Sequence, residues 1–123
     1  MTPARVTITL PIPDRILSPN ARPHWAAKAK RTKAPRWMAE QEARAVRGAD
    51  WPWPFARVSL MCYWPTLRFW DDDNISGACK AYRDGVADAG LVTNDKRIRS
   101  GSVDHAKDKA NPRVEMTFTR EDK

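Results

Sequence analysis

The sequence predicts a small α/β or α+β domain, a mixed β-sheet with helices packed on it in the order β-α-β-α-β-β. Two observations lead there: three segments alternate apolar and polar residues with the period of a half-buried strand, and two others read as helical, the second with apolar residues at helical spacing. A third, the length of 123 residues, bounds the answer to one domain over 1-123, with material for one hydrophobic core and too little for two.

The first strand is "RVTITL", with Val6, Ile8 and Leu10 on one side and Arg5, Thr7 and Thr9 on the other. "PIPDRILSPNARPHW" follows with four prolines, which exclude regular structure and favour a loop ordered by its own stiffness. A helix is expected from about His24 to Arg47, kinked or divided by Pro35, and Gly48 closes it. "ADWPWPF" reads as a stiff connection whose tryptophans cover one edge of the core.

"ARVSLMCYW" resumes the strand period, setting Val58, Leu60, Cys62 and Trp64 against Ser59, Met61 and Tyr63. From Ile75 to Ala89 the apolar positions follow a helix, with Gly90 placed to end it. Gly77 and Gly85 each cost about 1 kcal/mol against alanine in a helix, so either close approach by another backbone or a ligand, or merely a marginal helix, is expected there. A weaker strand over about Ile98 to His105 and a clearer one in "RVEMTFT" complete the sheet.

Composition narrows the function. No apolar run approaches the ~20 residues of a membrane span. Residues 1 to 10 alternate where a secretory leader would be continuously apolar, so a cytoplasmic protein without membrane contact is expected. Cys62 and Cys79 lack the spacing of a zinc site and read as reduced, structural residues. The net charge of +7 and pI near 9.9 favour a polyanionic partner. The densest positive stretch is "ARPHWAAKAKRTKAPR", where Arg22, Lys28, Lys30, Arg31, Lys33 and Arg36 occur with no acid among them; these are the candidate DNA-binding residues. A solvated helix face is the plainer alternative, although such faces usually mix both signs.

Against that positive background, Asp71, Asp72 and Asp73 follow one another directly. Three adjacent carboxylates repel, and a cation between them relieves the repulsion. If the chain stays extended through Asp73, Asp71 and Asp73 share a side while Asp72 points away. Asn74 is then the expected N-cap of the helix, whose N-terminus attracts phosphate, and carboxylates with phosphate together call for Mg²⁺. Lys80, further along the helix, is placed to lean back toward the same corner. Asp95 returns there only if the following strand runs beside the one that delivers Asp71. Plainer readings exist for each: helix capping for the cluster, an exposed i, i+4 pair for Lys80 and Asp84, and a solvated turn acid for Asp95. A calcium loop beginning at Asp72 fails, because its twelfth position is Arg83 and a strand precedes it. His24 and His105 read as loop or strand residues facing DNA or solvent rather than as a general acid and base.

"DDDNISGACKAYRDGVADAGLVTNDKRI" resembles the RusA family of Holliday junction resolvases, small Mg²⁺-dependent endonucleases common in phages and prophages. Asp71, Asp73 and Asn74 match the family's DxDN, Lys80 its helix lysine, Asp84 with Ala89 and Gly90 its helix, and Asp95 its final acid. "ITLPIPDRILSPNARPHW" is similar to the family's first strand and proline-rich loop, with Asn20 at the position of its asparagine. Lys80 lies farther from Asp73 than in the cellular type member, and Asn94 stands where an acid often precedes the last aspartate. The resemblance implies a catalytic set of Asp71, Asp73, Asp95 and Lys80, with Mg²⁺ held by Asp71, Asp73 and Asp95. It further implies a homodimer that binds four-way DNA junctions and nicks two opposing strands symmetrically, in DNA recombination and repair. A noncatalytic DNA-binding recombination accessory protein, or a nuclease acting on flaps and branched forks, is the alternative.

Overall fold

The structure is a computed structural model that describes residues 4-19 and 25-123. Asn20, Arg22 and His24, singled out above, lie outside the described residues. Strand β1 is Arg5–Leu10, helix α1 Trp25–Ala45, strand β2 Phe55–Trp64, helices α2 and α3 Asp72–Ala78 and Lys80–Asp88, strand β3 Ile98–Lys107 and strand β4 Arg113–Glu121. Short 3-10 turns at Arg15–Leu17 and Asp95–Arg97 introduce α1 and β3. The result is a mixed α+β domain on one four-stranded sheet.

The sheet order is β1-β4-β2-β3. β4 pairs antiparallel with both β1 and β2, while β2 and β3 are parallel, Ala56 beside Ile98 and Trp64 beside Lys107. A parallel neighbour demands a crossover, and α2 with α3 supplies it. Alternation then places the core: Ile8, Leu10, Val58, Leu60, Cys62, Trp64, Val114, Met116 and Phe118 are all buried on one face. The helices cover that face, contributing Ala39, Ala43, Ile75, Tyr82 and Val86. Trp51 and Trp53 pack into the same core as an edge-to-face pair with centroids 6.2 Å apart. The opposite face is polar, with Thr7 and Thr117 joined across strands at 2.9 Å.

α1 runs undivided through Pro35. Its buried residues are small, Ala39 and Ala43, which lets its backbone approach α3 closely. A Cβ on Gly85 would sit 2.0 Å from the Arg36 carbonyl oxygen, and one on Gly77 2.3 Å from Pro19 Cγ. Backbone approach at Gly85 and loop contact at Gly77 thus account for both glycines. The single helix expected over residues 75-89 is instead two segments meeting at Cys79, whose φ and ψ of -84° and 3° leave the helical region. Backbone bonding still crosses the break, Cys79 N–H to Ile75 O at 3.0 Å and Arg83 N–H to Cys79 O at 3.1 Å. Gly90 takes φ +99° just beyond the end of α3. No helix among the described residues is long and apolar enough to cross a membrane.

Candidate metal and nucleic-acid site

β2 and the loop after it deliver the acidic cluster to the sheet end where β2 and β3 finish. Asp71 is the residue that caps α2: its carbonyl accepts from Asn74 N–H at 3.0 Å and Ile75 N–H at 3.1 Å, while its side chain makes no cap bond. The helix therefore begins before Asn74, the expected cap. Asn74 lies in the first turn, where its Oδ1 accepts from Ser18 Oγ at 3.3 Å. Extended alternation also stops at Asp71, so it cannot be what pairs Asp71 with Asp73; the helical twist sets Asp72 and Asp73 about 100° apart. All three aspartates are exposed. Neither Asp71 nor Asp73 has an ion-pair partner among the described residues.

Asp72, expected to point away from the chemistry, is the engaged member. Its Oδ1 lies 2.6 Å from His105 Nε2, and Trp64 Nε1–H donates to His105 Nδ1 at 2.9 Å. An indole N–H only donates, so Nδ1 is the acceptor and Nε2 carries the proton that faces Asp72. Phe69 stacks on the imidazole with centroids 5.3 Å apart and planes 11° apart. The contact exists because β3 lies beside β2 with His105 opposite Cys62, a pairing that neither residue announces in the sequence.

Lys80 does not lean back to the cluster. Its Nζ lies 3.2 Å from Asp84 Oδ2 and 3.6 Å from Asp95 Oδ2, so the i, i+4 pair and Asp95 share one ammonium. Lys80 and Asp95 are thereby brought together. Asp95 does precede a strand that runs beside β2, as its return required, but the pairing is parallel. Asp95 consequently stands where β2 and β3 begin, whereas Asp71 follows the end of β2. Among the described residues no three His, Cys, Asp or Glu side chains lie close enough to hold one ion, so Asp71, Asp73 and Asp95 do not form a three-carboxylate centre within one chain.

The described part of the basic stretch, residues 25-36, forms the first half of α1 and is mostly exposed. Two of its cations are occupied: Arg31 pairs with Asp14 at 3.0 Å, and Arg36 with Asp88 at 2.6 Å. Lys28, Lys30 and Lys33 form no ion pair among the described residues. Lys28 and Arg36 line a cleft of about 440 Å³ between α1 and the α2–α3 pair, across from Lys80 and Asp84. A second cleft, of about 450 Å³, opens beside the acidic cluster and contains Arg15, Arg68 and Asp71. Sequence reasoning passed over Arg15 and Arg68; the signal available was an arginine immediately ahead of the "FWDDDN" run.

With this geometry in place, comparison with known proteins adds one relative. The chain is 42% identical over 97 residues to an uncharacterized protein of Xylella fastidiosa (strain Temecula1 / ATCC 700964), covering 76% of this chain and 63% of that protein. The chain thus spans less than two thirds of the relative it matches. No protein-family model matches.

The two cysteines are free and buried. Burial pushes the Cys62 thiol up to about 11 and that of Cys79 to about 12, so both are protonated at neutral pH and neither is poised as a nucleophile or metal ligand.

Proposed function

We propose that the chain is a Mg²⁺-dependent, structure-selective endodeoxyribonuclease that resolves Holliday junctions as a homodimer. The observation that carries this reading is the pair Asp71 and Asp73, two exposed carboxylates without ion-pair partners beside a cleft that also holds two arginines. Mg²⁺ is commonly held by one or two carboxylates, with waters and substrate phosphate completing its octahedron, so a two-carboxylate edge open to solvent suits it. A cation held by Asp71 and Asp73 supplies an acidified water and a clamp on the scissile phosphate. Asp95 contributes through Lys80: with Asp84 it holds the ammonium in place, a fixed positive charge for the DNA backbone away from the Asp71 and Asp73 pair. The RusA-like spacing of Asp71, Asp73, Lys80 and Asp95 supports the same chemistry.

A homodimer follows from the substrate, since a junction cut symmetrically needs two sites related by its own twofold axis. Sedimentation at micromolar concentration is expected to report about twice the chain mass of 14.0 kDa. The direct test is cleavage of synthetic junctions, flaps and linear duplex in Mg²⁺ and in EDTA. Nicking of junctions in Mg²⁺ alone, abolished in Asp73→Asn with junction binding retained, is expected. Binding without cleavage by the wild type in Mg²⁺ would favour the noncatalytic accessory role instead.

A further inference from the structure

Two arginines meet in the cleft beside Asp71 with no carboxylate at short range among the described residues. Elsewhere arginines are commonly neutralised at short range, as in Arg57 with Glu121 at 2.6 Å and Arg113 with Asp108 at 2.9 Å. Arg15 and Arg68 both line this cleft, and neither has a carboxylate partner among the described residues. They come from separate elements, the 3-10 turn before α1 and the loop after β2, so the fold and not sequence adjacency brings them together.

Arg15 is held in place from the side. Its guanidinium lies 5.3 Å from the centroid of the Trp70 ring, and Trp70 in turn packs on Trp64 with centroids 5.2 Å apart. A guanidinium held over a ring in this way keeps N–H donors for a ligand, and its planar fork matches two oxygens of a phosphate. Asn74, also in the cleft, uses its Oδ1 on Ser18, which leaves its amide NH₂ as a further donor. Two cations, an amide donor and Asp71 in one cleft suit a phosphodiester whose oxygens face the arginines while a carboxylate stands beside it. A small free anion gains nothing from Asp71.

We propose that this cleft is a phosphodiester-binding subsite in which Arg15 and Arg68 hold a DNA strand against the acidic edge. The proposal rests on the DNA-cleaving reading above and locates strand contact on a surface distinct from the lysines of α1. It answers an electrostatic difficulty of that reading, because exposed aspartates repel a phosphate backbone until cations offset them.

The experiment measures binding of a four-way junction, and of a short single-stranded oligonucleotide, by fluorescence anisotropy in EDTA across a salt series, so that cleavage plays no part. Arg15→Gln with Arg68→Gln is expected to lower affinity roughly tenfold at low salt and to flatten the slope of log K against log salt by about 1.4 to 1.8, two contacts at 0.7 to 0.9 each. The control is Arg5→Gln with Arg47→Gln, which removes equal charge from arginines that also lack a carboxylate partner among the described residues but lie outside the cleft. Wild-type slope and affinity in the Arg15 and Arg68 variant, or an equal loss in the control, would overturn the subsite while leaving DNA binding intact. Absence of DNA binding by the wild type itself would overturn the functional reading and the subsite together.

Discussion

Asp72 and His105, 33 residues apart in the chain, meet through a 2.6 Å contact between carboxylate Oδ1 and imidazole Nε2. Trp64 holds the other imidazole nitrogen at 2.9 Å, so the start of α2 is tied to the end of the β2–β3 pair. The two ends of this chain of contacts are unequal: Trp64 is 2% exposed, whereas the Asp72 side chain is 63% exposed. Replacing His105 by alanine strands a buried indole donor, a loss of about 1 to 3 kcal/mol. Asp72→Asn keeps an acceptor oxygen for Nε2–H in a solvated place, so its cost is expected to stay below about 1 kcal/mol. Urea midpoints of the two variants check the order. Equal midpoints would mean that the Trp64 bond contributes nothing.

Gly85→Ala sets two effects against each other. Alanine is favoured over glycine in a helix interior by about 1 kcal/mol, but the new Cβ meets the Arg36 carbonyl at 2.0 Å, and a backbone cannot rotate aside as a side chain can. Overpacking of 1 to 3 kcal/mol or more wins, so net destabilisation of about 2 kcal/mol is expected in urea or thermal unfolding. A stabilised variant would show that α1 and α3 are not in this close contact in solution.

The Arg36–Asp88 pair makes a pH-dependent contribution. The hydrogen-bonded guanidinium of Arg36 holds the Asp88 carboxyl below its ordinary value of 3.8, with burial opposing. Because the folded-state pKa is the lower one, the stabilisation is present above 3.8 and is lost as pH falls through the folded value. Both side chains are substantially exposed, so screening limits the effect to at most about 1 kcal/mol. The stability difference between wild type and Asp88→Asn is therefore expected to be constant from pH 5 to 7 and to shrink below about pH 4. A difference that grew in acid would contradict the pairing.

On α1, the ion pairs of Arg31 and Arg36 leave Lys28, Lys30 and Lys33 as the cations without an ion pair among the described residues. Replacing the three lysines by glutamine is expected to flatten the salt dependence of junction binding by up to about 3 units, at roughly 0.9 per contacted phosphate. The loss should be uniform across DNA sequences, and nicking at saturating protein should change little. A triple variant with an unchanged slope would mean that this half of α1 faces solvent and that the DNA runs elsewhere.

Local chemistry was enough for the strands and for much of the helix boundaries. Side chains on an extended chain point alternately to opposite faces whatever the strand pairs with, so Val58, Leu60, Cys62 and Trp64 declared the buried face before any partner was known. The penalty of glycine within a helix likewise marked Gly77 and Gly85 as places of close approach, although not what approached them. The candidate site was legible only as a set of residue types. That α2 starts one residue after Asp71 and not after Asn74, that Lys80 turns to Asp84 and Asp95, and that Asp72 is the aspartate bound to His105 are outcomes of tertiary structure. Parallel pairing of β2 with β3 sets His105 beside the end of β2 and Asp95 beside its start. Direction and register depend on how the crossover packs against the whole sheet, a long-range free energy that no local periodicity contains.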